Sequence, residues 1–134
     1  MIVDASSMVD ALTARSQWPR MILKPASGRL HAPSVFPAEV TSALRRLLLS
    51  GQIREFVATS GRRRLESLPT QLHPFGPYAE RIWELRDNLT VYDAWYVAIA
   101  ERLRQPLVTA DAGILTAPGL RCELIDARAA SQSL

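Results

Sequence analysis

The sequence predicts an α/β fold built on a central, mostly parallel sheet. Three observations point there. Short strand-like runs recur along the chain: Met1-Ile2-Val3, Leu30 to Ala32, Leu107-Val108-Thr109 and Glu123-Leu124-Ile125. Between them lie longer stretches whose apolar residues repeat at helical spacing. The chain has 134 residues, 48% hydrophobic and 22% charged, which suits one folded domain over residues 1–134. Strands alternating with helices make βαβ units, and those build mostly parallel sheets.

The elements follow in order. Met1 to Val3 reads as a buried strand, and Ser6 and Ser7 as caps of a helix carrying Met8, Val9 and Leu12. From Arg15 to Gly28 the pattern is poor, broken by Pro19, Pro25 and Gly28. After the strand at Leu30, Pro33, Ser34 and Pro37 lead into a strong helix from Phe36 to Leu49. Val40, Ala43, Leu44 and Leu47 share its face, and Ser50-Gly51 ends it. A second helical stretch runs from Gln52 to Leu68, with a break or bend expected at Gly61, and Pro69 to Pro77 reads as a loop. Tyr78 to Arg86 reads as an amphipathic helix. Asn88 or Thr90 then caps a helix that continues to Arg104. Pro106 precedes the strand Leu107–Thr109, a turn spans Asp111 to Gly113, and a short helical or turn segment spans Leu115 to Gly119. After the last strand, residues from Ala127 read as a fraying tail.

Composition excludes several classes. Cys122 is the only cysteine, so there is neither an intramolecular disulfide nor a cysteine-based zinc cluster, and a reducing compartment is expected. Asp4 interrupts the N-terminus before any apolar signal region forms. No run reaches the roughly 20 apolar residues of a membrane helix. Leu89 to Ala100 is too short and carries Asp93. A cytoplasmic protein without membrane contact is expected. The net charge is +3, and Lys24 is the only lysine among 16 basic residues. Arginine suits phosphate contacts, but a GC-rich genome's codon preference accounts for it at least as well. No glycine-rich phosphate loop is present. A receiver domain would need a lysine after a late strand, and a haloacid-dehalogenase-type phosphatase a second aspartate where Ser6 stands.

Four acids stand out by position. Asp4 follows the first strand, and Asp111 comes two residues after Thr109. Glu39 and Asp93 lie in the first turns of the two strongest helices. Strand C-termini and helix N-termini meet at one edge of such a sheet, where open α/β folds bind their ligands. Asp93 shares a helix face with Tyr96, Val97 and Ala100 and is the lone charge from Leu89 to Ala100. A carboxylate so placed is expected to be partly buried and bound to a cation. Each acid also has an ordinary role: first-turn acids complement the helix macrodipole, and Asp4 and Asp111 suit caps or turns. Taken together, four converging carboxylates need a cation. All-oxygen donors without histidine point to Mg²⁺ or Mn²⁺ rather than zinc. Such a site suits phosphodiester hydrolysis. Ser6 and Thr109 are placed to orient carboxylates or waters, or else to serve as cap and strand-end residues.

Further candidates are basic. Arg46 lies seven residues after Glu39 on the same helix face, and Arg62-Arg63-Arg64 forms a run near Gly61; both suit RNA phosphates or a solvated face. His31 and His73 lie in separate proline-flanked loops, and nothing in the sequence places them together. Trp95 reads as core or dimer interface.

In their order and spacing, Val3-Asp4-Ala5-Ser6, Pro37-Ala38-Glu39-Val40 with Leu44-Arg45, Tyr92-Asp93-Ala94 with Tyr96 and Ala100, and Leu107-Val108-Thr109-Ala110-Asp111 resemble the PIN-domain family, and within it VapC toxins. The resemblance spans Asp4 to about Ile125. It implies a three-layer α/β/α fold and an Mg²⁺- or Mn²⁺-dependent endoribonuclease acting on structured RNA such as tRNA or rRNA. Its catalytic and metal-holding acids would be Asp4, Glu39, Asp93 and Asp111. It also implies a homodimer silenced by a VapB-type antitoxin. The alternative is a catalytically silent PIN-type module that binds RNA or protein.

Overall fold

The strand β1, Ile2–Val3, sits at the centre of a five-stranded sheet and is almost wholly enclosed. In this computed structural model, which describes residues 1–13 and 28–130, the strand order is β3-β2-β1-β4-β5 and all four pairings are parallel. The other strands are β2 (Leu30–Pro33), β3 (Thr70–His73), β4 (Leu107–Thr109) and β5 (Leu124–Asp126). Ile2 pairs with His31 on one side and Leu107 on the other, and Val3 pairs with Val108.

Helices make every described crossover. α1 (Ala5–Leu12), α2 (Phe36–Leu49) and α3 (Glu55–Ser67) pack against one another. A 3₁₀ turn at Gly76–Tyr78, α4 (Ala79–Glu84) and α5 (Val91–Leu103) form the second helical layer. Right-handed crossovers explain the two layers: the chain steps from β1 to β3 in one direction, then returns over β1 to β4 and β5 in the other. The short α6 (Ala112–Leu115) follows β4, and α7 (Ala127–Ala130) follows β5. The result is the expected three-layer α/β/α arrangement. Ala94 to Ala100 of α5 are all buried, because this helix lies across β1, β2 and β4. Burying each of Val97, Ile99 and the facing Ile2 contributes about 1.5–3 kcal/mol.

Several local expectations change. The stretch Pro69 to Pro77 holds β3, hidden in the sequence because an edge strand pairs on one side only and tolerates Thr70, Gln71 and His73. α3 runs through Gly61 without a break. Gly61 is buried there, and an added Cβ would lie 3.4 Å from Leu12 Cβ, so glycine marks close packing of α3 on α1. The helix read from Tyr78 begins instead as the 3₁₀ turn, and α6 precedes the segment Leu115 to Gly119. Ala127 begins a helix rather than a fraying tail. Trp95 is core, 5% exposed, and packs edge-on against Phe75 at 5.4 Å. Most of the weak pattern from Arg15 to Gly28, with Trp18 and Lys24, lies outside the described residues.

Candidate active site

The direction of chain travel reverses between β1 and β4, which leaves a crevice beyond their carboxyl ends. Asp4 enters it directly from β1. Its backbone N–H donates to the Val108 carbonyl (3.1 Å), so it stands beside the end of β4. Asp4, not Ser6 or Ser7, caps α1: its Oδ1 accepts from the Ser7 N–H at 2.9 Å and from the Ser6 hydroxyl at 3.4 Å. Ser6 and Ser7 lie inside the first turn because the residue leaving the strand already holds the extended cap conformation.

Thr109 links two of the acids. Its buried hydroxyl donates to Asp4 Oδ2 and accepts the Asp111 N–H at 3.0 Å. Asp111 in turn caps α6, its Oδ1 accepting from Ile114 N–H at 3.1 Å. One hydroxyl thus ties the Asp4 carboxylate to the Asp111 backbone.

The other two acids arrive from opposite helical layers. Glu39 projects from the first turn of α2, and the Tyr96 hydroxyl donates to its Oε1 at 2.8 Å. Asp93 lies in the first turn of α5, which Thr90 caps by accepting the Asp93 N–H at 3.2 Å. Asp4, Glu39, Asp93 and Asp111 line one open cleft of about 500 Å³, together with Ser6, Tyr92, Tyr96 and Arg46. Arg62, Arg63 and Arg64 are exposed on α3, do not line this cleft, and Arg62 pairs with Glu66.

The electrostatics of the cleft are those of partly buried carboxylates held near one another. Burial raises the proton affinity of Glu39; the Tyr96 hydrogen bond opposes this, and the charges of Asp93 and Asp4 add to it. Burial likewise raises that of Asp93, with Thr90 opposing and Asp111 and Asp4 adding. Burial pushes the Tyr96 hydroxyl far up, so it stays a proton donor to Glu39. Among the described residues none of the four acids makes an ion pair with a basic side chain.

Those oxygens could hold a divalent cation. Among the described residues no three Asp, Glu, His or Cys side chains are close enough to enclose an ion unaided. The set therefore fits a hard ion that keeps several of its own waters and takes one or two carboxylates directly. It does not fit a closed tetrahedral cage of the zinc type.

The PIN domain family model matches residues 1–120. This chain belongs to the PIN-domain family. Similar proteins include Ribonuclease VapC1 of Mycobacterium tuberculosis, 41% identical over 92% of this chain and 94% of that protein. VapC ribonuclease Mb0985 of Mycobacterium bovis is 43% identical over 83% of this chain and 85% of its own. Ribonuclease VapC12 of Mycobacterium tuberculosis is 29% identical over 92% and 96%. The similarity makes this a VapC-type PIN domain. Among its described residues no helix is long and apolar enough to cross a membrane.

Sequence reasoning left two parts of this PIN domain unassigned. Tyr96 shares the Asp93 face at i+3, and that spacing was the signal that it enters the site. His31 and His73, read as separate loop residues, are in fact adjacent: they lie on the neighbouring strands β2 and β3 with ring nitrogens 3.0 Å apart. Parallel pairing of a strand taken for loop could not be read from spacing.

Proposed function

We propose that this PIN domain is the ribonuclease toxin of a toxin–antitoxin pair. It would hydrolyse phosphodiester bonds of structured RNA, tRNA or rRNA, with Mg²⁺ or Mn²⁺ held by Asp4, Glu39, Asp93 and Asp111, one or two of them directly and the rest through the ion's own waters. The observation that carries this reading is the convergence of the four acids on one cleft, where among the described residues none of them makes an ion pair. A bound divalent cation supplies positive charge against the reacting phosphate and makes the attacking water more acidic. The chain's own residues set the stage for it. Thr109, with Ser6 and the Ser7 N–H, holds Asp4 in one orientation. Tyr96 occupies one oxygen of Glu39.

Arg46, exposed at the cleft wall, is placed to meet an RNA phosphate or an acidic group of the antitoxin. Arg62, Arg63 and Arg64 would extend RNA contact outside the cleft. Leu49 and Phe56, 67% and 80% exposed, support docking of an apolar helix from a VapB-type antitoxin. A homodimer in the cytoplasm completes the proposal.

Incubating purified protein with total RNA and Mn²⁺, with and without EDTA, tests it. Cleavage that needs the metal and vanishes in Asp93→Asn is expected. Tight RNA binding with no cleavage at any metal concentration would replace the nuclease by a silent binding module.

A further inference from the structure

A second cluster of titratable side chains lies on the sheet edge away from the acids. His31 pairs with Gln71, and Pro33 with His73, so the two histidines sit diagonally across β2 and β3 on one face. His31 Nδ1 lies 3.0 Å from His73 Nε2, with ring centroids 5.2 Å apart. The Tyr78 hydroxyl, on a side chain only 5% exposed, lies 2.8 Å from His73 Nδ1. These contacts form a continuous hydrogen-bonded row, Tyr78–His73–His31, that begins in the core and ends at the surface.

Positive groups surround the row. The Arg102 guanidinium lies 5.3 Å over the Tyr78 ring, and its Nη1 donates to the Pro77 carbonyl at 3.4 Å. Arg29, two residues before His31, donates to Gln71 Oε1 at 3.0 Å. The α-amino group of Met1 donates to Gln105 Oε1. Both guanidinium groups are thus hydrogen-bonded to neutral oxygens, as is the amino group, whose proton affinity burial lowers. Among the described residues none of them pairs with a carboxylate, unlike Arg62, Arg81 and Arg128. Burial and the positive neighbours lower the proton affinity of both imidazoles, so at neutral pH each ring carries one proton. A surface of this kind attracts an anion. It does not suit a carboxylate-bound metal.

We propose that Arg29, His31, His73 and Arg102 form a second RNA-binding surface, which receives a backbone phosphate of the substrate outside the acidic cleft. RNA as the ligand rests on the ribonuclease reading; the attraction for an anion does not. Arg102 follows Asp93 by nine residues on α5, about 14 Å along the helix axis, so one folded RNA can span both points. Charge decides the division of labour: the cleft repels phosphate until a cation is bound, whereas this surface attracts it without one. A phosphate beside His31 offsets the Met1 amino group, Arg29 and Arg102, the charges that disfavour imidazolium. The His31–His73 pair then takes up a proton from solvent as RNA docks.

The full chain in EDTA is titrated with a fluorescein-labelled RNA hairpin at several salt concentrations. Calorimetry in two buffers of different ionisation enthalpy counts protons. The variants are His31→Gln/His73→Gln and Arg102→Gln, the latter at an exposed position where folding is not at stake. Each is expected to weaken binding several-fold and to flatten the log–log salt slope by about one unit for every phosphate no longer neutralised. Proton uptake should vanish in the double variant. Wild-type affinity, slope and proton uptake in Arg102→Gln and in a folded double variant overturn the proposal, as does wild-type protein that binds no RNA without metal. If the double variant does not fold, Arg102→Gln alone decides. With Mn²⁺, the proposal expects KM to rise while kcat stays unchanged. If wild-type protein never cleaves yet the variants lose affinity, the nuclease reading fails and this binding surface stands.

Discussion

The Tyr96 hydroxyl reaches Glu39 Oε1 across 2.8 Å and so joins α5 to α2 at the acidic cleft. The two residues belong to opposite helical layers, and the bond fixes which oxygen of Glu39 is already engaged. Tyr96→Phe keeps the ring and its packing against Phe36 while removing the donor. Mn²⁺ affinity at neutral pH is expected to fall about 10-fold. Titration calorimetry on the folded variant checks this, and unchanged affinity would show that the hydroxyl only holds the layers together.

Asp93 sets stability against function. Its proton affinity is raised in the folded state, as is that of Glu39, so folding favours the protonated acid. These two carboxyls therefore contribute most to the stability of the metal-free protein below the unfolded carboxylate range, about pH 4, and that contribution is lost as pH rises through the raised folded values. Asp93→Asn removes one share of that cost. Without metal, it should melt higher than wild type at pH 7, with the gap closing toward pH 4. Saturating Mn²⁺ should stabilise wild type, by about 2.7 kcal/mol at 100 times Kd, but not the variant. Melting curves with Mn²⁺ or EDTA across that pH range decide it.

Thr109 connects Asp4 to Asp111 through one hydroxyl. Thr109→Val keeps the shape and leaves the buried Asp4 carboxylate without this donor, which costs about 1–3 kcal/mol, and the Asp111 N–H without its acceptor. Cleavage should fall about 10- to 100-fold even where the protein is folded. Thr109→Ser should restore most of both. Urea denaturation beside a cleavage assay separates the two effects.

Gly61 gives a prediction whose sign changes with side-chain size. An alanine Cβ would meet Leu12 Cβ at 3.4 Å, ordinary van der Waals distance, so Gly61→Ala should stabilise α3 by up to about 1 kcal/mol. Gly61→Leu must displace Leu12 and Leu44 and should cost about 1–3 kcal/mol. Thermal melts of the two variants beside wild type check the sign. Both should bind Mn²⁺ normally once folded, because Gly61 is outside the cleft.

Much of the fold was legible because its elements advertise themselves locally. α2 carries its apolar face and its Pro37 start in plain sequence, and its bounds are those read from it. The four acids were legible for a related reason: strand tips and helix starts converge by topology alone. β3 was not. An edge strand of polar residues has no local signature, and only its pairing with β2 defines it. The adjacency of His31 and His73 was hidden for the same reason. Capping by Asp4 in place of Ser6 or Ser7 was hidden because all three residues suit the role, and only the backbone turn out of β1 chooses.

Asp4 and Asp111 each secure the opening turn of a helix, whereas Glu39 and Asp93 do not. Losing either capping side chain weakens the scaffold by about 0.5–2 kcal/mol as well as emptying a place in the cleft. Disarming mutations that spare the architecture therefore fall on α2 and α5. A lineage that retires this protein's chemistry while keeping its partners would be expected to relinquish Glu39 or Asp93 first and to retain the two strand-tip aspartates long afterwards.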